Sequence, residues 1–179
     1  MPFGQPLLEY DELASTNAQA AALVSVGNAA HGTVVLAHAQ SQGQGQRGRV
    51  WHSQPGLDLT YSVVCKPAAL RADRQFGLSK VAALAVFDAV RPHAQADVRI
   101  KWPNDVLIGS RKVAGILCES VSQGNKINKV AVGIGINVNQ ANFHSGYLME
   151  PTSIKMELKQ YVSREKLLAE LLLNFEDTL

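Results

Sequence analysis

The sequence predicts an α+β fold, a mixed and largely antiparallel β-sheet backed by helices, and three observations predict it. Candidate elements run helix, strand, strand, helix, a run of strands and a final helix, without the strand–helix alternation that builds a parallel sheet. Neighbouring strands are separated by short turn signals such as Gly109-Ser110, and a short turn makes its two strands antiparallel. Hydrophobic residues make up 46% and charged residues 18% of the 179-residue chain, which supports a buried core and argues against disorder. That length suits a single domain over residues 1–179.

Each element has its own signal. Ser15 and Thr16 offer a helix cap, the alanine-rich run from Asn17 favours a helix, and Gly27 supplies its stop. Residues 33–40 (TVVLAHAQ) are short and β-branched and read as a strand. Residues 41–56 hold four glycines and almost no aliphatics, so they form a long loop. Residues 58–66 are a strand. Residues 75–90 place Phe76, Leu78, Val81, Ala82, Leu84, Ala85 and Val86 at helical spacing, and Pro92 ends that helix. A strand at 98–102 runs into Pro103-Asn104-Asp105. Residues 106–108 and 112–120 form a hairpin about Gly109-Ser110, and Gln123-Gly124-Asn125 is a further turn. In the strand at 129–139, Gly133 and Gly135 alternate, which points to a bulge or a close backbone approach to a ligand. Residues 164–173 are the last helix.

Composition excludes several classes. A net charge of +2, from 17 basic and 15 acidic residues, is too balanced to advertise nucleic acid or an acidic membrane surface. Cys65 and Cys118 sit in apolar β-branched stretches and read as reduced core residues. The five histidines show no metal-binding spacing, so no metal site is expected by direct motif. The start of the chain lacks the basic and apolar runs of a signal peptide, and no stretch approaches the roughly 20 apolar residues that span a bilayer. A soluble, cytoplasmic protein is expected.

Three motifs carry chemistry. Gly43-Gln44-Gly45-Gln46-Arg47-Gly48 matches GxGxxG, but the loop continues through Arg49, Trp51, Pro55 and Gly56 instead of opening a helix, which disfavours a dinucleotide site. Glycines let the backbone approach a phosphate and two guanidinium groups pair with its oxygens, so the stretch reads as a lid; a plain surface loop holding two arginines also fits. Lys101-Trp102-Pro103-Asn104-Asp105 crowds functional groups at a strand end, where binding groups gather, or else makes a turn with Lys101 solvated. Lys112 enters an apolar strand, where it either meets an anion or reaches solvent from the hairpin.

Taken together, Ser15-Thr16-Asn17, GQGQRGRVW, KWPNDV, RKVAGIL and GIGINV, in this order, resemble the catalytic domain of biotin–protein ligases over roughly residues 8–140. The resemblance implies a fold akin to class II aminoacyl-tRNA synthetase domains. It implies an enzyme that joins biotin to ATP as biotinyl-5′-AMP, with Mg²⁺, and then transfers biotin to a lysine of a biotin carboxyl carrier domain. Residue by residue, it implies biotin contacts from Ser15, Thr16, Asn17, Gln40, Gly43, Gly45, Gln46, Gly48 and Gly115. Hydroxyls and amides suit a urea, which both donates and accepts. The implied ATP side is Arg47, Arg49, Trp51, Lys101, Asn104, Asp105 and Asn137. Lys112 is implied to bridge biotin's carboxylate and the α-phosphate, with Arg47, Lys101 and Asp105 also catalytic and Asp105 assisting the acceptor lysine.

The sequence departs from the family pattern where the loop more often reads GRGRxGR: Gln44 and Gln46 replace two arginines. The second arginine helps hold the adenylate, so a neutral Gln46 predicts faster escape of biotinyl-AMP. About 14 residues precede Ser15, too few for an N-terminal DNA-binding domain, and the stretch after residue 140 leaves no room for the C-terminal SH3-like barrel of many members. Alternatives within reach of the sequence are a biotin-binding module with impaired catalysis and a lipoate or octanoyl ligase. A monomer or a homodimer is expected.

Overall fold

The computed structural model describes residues 3–66, 70–71, 75–123 and 126–179; Gly124 and Asn125 of the expected turn lie outside the described residues. Eight strands and four α-helices are assigned in it. The strands are β1 (Leu7–Leu13), β2 (Val34–Gln40), β3 (Leu59–Cys65), β4 (Leu70–Arg71), β5 (Val98–Lys101), β6 (Asp105–Ile108), β7 (Arg111–Gln123) and β8 (Lys126–Ile136). The helices are α1 (Thr16–Ser25), α2 (Phe76–Val90), α3 (Ile154–Leu158) and α4 (Arg164–Thr178). The strands form one mixed sheet in the order β1-β2-β3-β8-β7-β6-β5, with β4 also paired to β8. Among the described strands only β1 and β2 pair in parallel, with α1 crossing between them; every other strand-to-strand pairing is antiparallel. The α+β expectation holds.

The two faces follow from alternation along the strands. Val34, Leu36, Tyr61, Val63, Val132, Ile134 and Ile136 point to one face and pack with Ala82 and Val86 of α2 and Leu171 and Phe175 of α4. Val35, Val64 and Ala131 point to the other, where Ala20 and Val24 of α1 cover them. Each fully buried aliphatic there stabilises the fold by roughly 1.5–3 kcal/mol. Because α1 is short and alanine-rich, it covers only part of its face. The uncovered part, over β7 and β8, is where the cleft lies.

Several elements differ from expectation in extent. Strand β1 has the sequence LLEYDEL, whose acids disguise the alternation; as an edge strand with one partner it leaves them in solvent. Helix α3 has five residues, too few for a periodic signal, and is set by Ser153, whose Oγ accepts from Met156 N–H at 3.2 Å. Strand β8 starts at Lys126 and ends at Ile136, short of Asn139. Asn137 N–H still donates to Val113 O of β7 at 2.8 Å, and the chain leaves the sheet at Val138, whose N–H donates to Asp58 Oδ1 at 3.0 Å. Helix α4 continues to Thr178. Helix α2 ends at Val90, and a short 3₁₀ turn over Arg91–His93, with Pro92 in it, follows. Among the described residues, no helix is long and apolar enough to cross a membrane.

Candidate active site

A cleft of about 770 Å³ opens on the α1 side of the sheet. Its floor is laid by β7 and β8, where Gly115 pairs with Gly135 and Leu117 with Gly133. The alternating glycines mark a close approach, but the groups that approach are the chain's own Asn17 and Trp51 side chains and not a ligand. A Cβ on Gly133 would lie 2.5 Å from Asn17 Oδ1, and one on Gly135 would overlap the Trp51 indole. A Cβ on Gly115 would sit 3.1 Å from Lys112 Nζ. Side chains at these positions would fill the cleft.

One end of the cleft is the N-terminus of α1. Ser15 caps that helix, its Oγ accepting from Ala18 N–H. Thr16 N–H donates to Gln40 Oε1 at 2.8 Å, which orients the Gln40 amide. Ser62, fully buried on β3, bridges Thr16 Oγ1 at 2.8 Å and Asn17 Oδ1 at 2.7 Å. Because the Asn17 oxygen only accepts, the one Ser62 proton goes to it, and the Thr16 hydroxyl donates to Ser62. Asn17 Nδ2 donates to Leu117 O at 3.1 Å and Glu119 Oε2 at 2.7 Å. Asn17 is therefore held as a wall, while Thr16 and Gln40 are aligned at its edge. Sequence reasoning missed Ser62, because a serine inside TYSVVC reads as an ordinary strand residue.

The glycine-rich stretch folds back as a tight hairpin. Gln44 bridges Val50, Gly45 N–H donates to Arg49 O at 2.7 Å, and Trp51 N–H donates to Gly43 O at 2.9 Å. Its tip is a 3₁₀ turn over Gln46–Gly48 with Arg47 at φ 58° and Gly48 at φ 74°. A left-handed arginine costs roughly 1–2 kcal/mol, so the turn is held by its neighbours. No helix opens at Gly48, which removes the dinucleotide reading. Gly45, Gln46, Arg47 and Arg49 line the cleft, whereas Gly43 and Gly48 do not. Gly43 lies under the Trp51 carbonyl, where a side chain would collide, and Gly48 supplies the turn.

The other end is built by the corner after β5 and the hairpin of β6 and β7. Asn104 clamps this corner onto β7: its Nδ2 donates to Ile116 O at 3.0 Å and its carbonyl accepts from Ile116 N–H at 2.9 Å. Asp105 thereby faces Lys112, whose Nζ lies 2.7 Å from Asp105 Oδ1. Leu107 pairs with Lys112 and Val106 with Ala114, so Val113 is an extra residue, a bulge that re-aims the lysine. Lys112 Nζ also lies 5.6 Å from the Trp51 ring centre, and Trp51 Nε1 is buried without a hydrogen-bond partner among the described residues. Asn137, on the far side of Lys112, donates from Nδ2 to Thr152 O at 2.9 Å. Among the described residues, Arg47, Arg49, Lys101 and Lys112 line the cleft against one carboxylate, Asp105. Such a surplus of positive charge suits a polyanion.

Residues 143–149 form a wall that sequence reasoning did not assign. Phe143 and Tyr147 meet edge to face, and His144 packs against His52 at 5.2 Å. Leu148, 84% exposed, marks this segment as apolar chain that no core absorbs. Among the described residues, no group of three His, Cys, Asp or Glu side chains is placed to hold a metal. Burial pushes the Cys65 and Cys118 thiols up to about 12 and about 11, so neither is a nucleophile.

Comparisons with known proteins bear on this geometry. The profile of the biotin/lipoate A/B protein ligase family matches residues 11–137. The chain is 36% identical over 175 residues to the bifunctional ligase/repressor BirA of Bacillus subtilis, covering 97% of this chain and 53% of that protein. It is 44% identical over 128 residues to the biotin–[acetyl-CoA-carboxylase] ligase of Paracoccus denitrificans, covering 69% of this chain and 51% of that one. The fold is similar to the biotin protein ligase from Aquifex aeolicus in complex with biotin and ATP, with a TM-score of 0.80 and 30% identity, covering 96% of this chain and 69% of that chain. The chain spans about half the length of the curated relatives it matches.

Proposed function

The chain belongs to the biotin/lipoate A/B protein ligase family, and we propose that it activates biotin with ATP and passes the biotinyl group to a lysine of a biotin carboxyl carrier domain. The observation that carries this reading is Lys112, held by Asp105 at 2.7 Å between a hydroxyl-and-amide end and a basic hairpin in one cleft. Thr16, Gln40 and the Ser15 end would take the ureido ring, with Asn17 as its wall and Gly115 leaving room for the ring system. Biotin's carboxylate then points at Lys112. Arg47, Arg49 and Lys101 would take the triphosphate, with Trp51 beside the nucleotide and Asn104 and Asn137 fixing the backbone on either side.

In the first step a carboxylate oxygen bonds to the α-phosphorus and the bond to pyrophosphate breaks. Two anions must meet for this, and a fixed ammonium between them lowers the repulsion and stabilises the charge of the transition state. In the second step an acceptor amine bonds to the acyl carbon, the bond to AMP breaks, and the amine gives up a proton. A lysine of ordinary pKa near 10.4 arrives protonated, so a carboxylate within reach, Asp105, is suited to receive that proton. Mg²⁺ would travel on the nucleotide: Asp105 is the one carboxylate among the described lining residues, which fits an ion held chiefly by phosphates.

The test is transfer itself. The protein, ATP, Mg²⁺, biotin and a biotin carboxyl carrier domain are incubated together, and the carrier is weighed by mass spectrometry. Gain of one biotinyl group, dependent on ATP and absent when the carrier's lysine is changed to arginine, is expected. An unmodified carrier would overturn the reading.

A further inference from the structure

We propose that Glu157, which lines no part of the cleft, is a positioning residue for Lys112; the inference rests on the ligase reading above. Strand β8 pairs with β7 no further than Ala114, opposite Ile136, so the β7 edge at Lys112 that faces away from β6 must be satisfied elsewhere. A strap over residues 150–152 does so. Lys112 N–H donates to Glu150 O at 2.8 Å, and Thr152 N–H donates to Lys112 O at 2.9 Å.

That strap is held from behind by one carboxylate. Glu157 of α3 accepts from the Thr152 hydroxyl at 2.5 Å and from Arg111 Nη2 at 2.6 Å, both at Oε1. Its side chain is 8% exposed, and Thr152 is fully buried. Glu157 thus grips both Arg111, the residue before Lys112, and Thr152, the residue whose N–H donates to the Lys112 carbonyl. Asn137 closes the ring by donating to Thr152 O at 2.9 Å. Buried charge-assisted bonds to two flanking residues fix a backbone far more tightly than a surface pair does.

A lysine that must sit between two anions loses rate steeply when displaced, by up to about a hundredfold for 1 Å. Glu157→Ala is therefore expected to lower kcat for biotin-dependent ATP–pyrophosphate exchange by about tenfold or more while leaving KM for biotin nearly unchanged, because the ureido end is built by other elements. Glu157→Gln keeps an oxygen that accepts from both donors and should recover most of the rate. Thr152→Val, of similar shape and lacking the hydroxyl, should reproduce the loss even if Glu157→Ala folds poorly. In a Lys112→Ala background, Glu157→Ala and Thr152→Val should cause no further fall in the residual exchange. Equal kcat in wild type, Glu157→Ala and Thr152→Val, or losses that simply add to that of Lys112→Ala, would overturn the inference and leave the ligase reading standing. A wild-type protein without exchange would overturn both.

Discussion

The ammonium of Lys112 lies 2.7 Å from the carboxylate of Asp105, each partly buried, and the two occupy facing strands at the head of the cleft. The carboxylate lies against the lysine before any substrate is present, and it leaves the one lining acid among the described residues engaged. Asp105→Asn keeps the shape and removes that charge. It is expected to slow formation of biotinyl-AMP by about tenfold, through looser aim of Lys112. Transfer from preformed biotinyl-AMP to the carrier lysine should slow as well. Unchanged transfer would end the role of Asp105 toward the acceptor while leaving its hold on Lys112.

The glycines of the floor separate the two ends of the site. Gly133→Ala would push against Asn17, and Gly135→Ala against Trp51. The first should raise KM for biotin, because Asn17 shares Ser62 with Thr16. The second should lower kcat and shift tryptophan emission, because the indole must move. Each should also destabilise the fold by about 1–3 kcal/mol through overpacking. Identical kinetic effects from both substitutions would contradict this division of the cleft.

Gln46 lines the cleft at the start of the hairpin tip, where the family pattern more often has arginine. A neutral amide holds an adenylate less firmly than a guanidinium does. The wild-type protein should therefore release biotinyl-AMP and label lysines of an unrelated protein such as albumin above a no-enzyme control. Gln46→Arg should suppress that labelling several-fold. Labelling no greater than the control in the wild type would contradict the reading.

Asp58 gives a pH-dependent stability. It is buried and accepts from Gln54 N–H at 2.9 Å and Val138 N–H at 3.0 Å, tying the loop before β3 to the end of β8. Burial pushes its carboxyl up from the ordinary 3.8 to about 6, outweighing the backbone donors and Arg164, which pull it down. The stabilisation from the protonated form is complete below pH 3.8 and is lost as pH rises through 6, a change of roughly 3 kcal/mol. Relative to Asp58→Asn, the wild type should lose stability in denaturant unfolding as pH rises from 4 to 7. Parallel profiles would contradict this.

Much of the site was legible because its residues lie in short, chemically dense runs. Lys101 to Asp105, Lys112 and the hairpin arginines all line one cleft, as their sequence contexts suggested. Alternation of Gly133 and Gly135 points to a bulge or a ligand at the backbone, whereas the groups that lie over them are Asn17 and Trp51. What the sequence hid was chemistry that only topology assembles. Ser62 matters because β3 passes under α1, and Glu157 matters because α3 returns behind the β7 bulge. The wall at 143–149 has no periodicity to announce it. Strand β1 was hidden by its acids, since an edge strand tolerates charges that a central strand would not.

Exchange of labelled pyrophosphate into ATP tests the adenylating role of Lys112 most directly, with biotin and lipoate as parallel substrates and Lys112→Ala beside the wild type. The account predicts exchange with biotin, little with lipoate, and a loss of at least about a hundredfold in Lys112→Ala with biotin binding retained by calorimetry. Undiminished exchange in Lys112→Ala, or none in the wild type despite biotin binding, would contradict it.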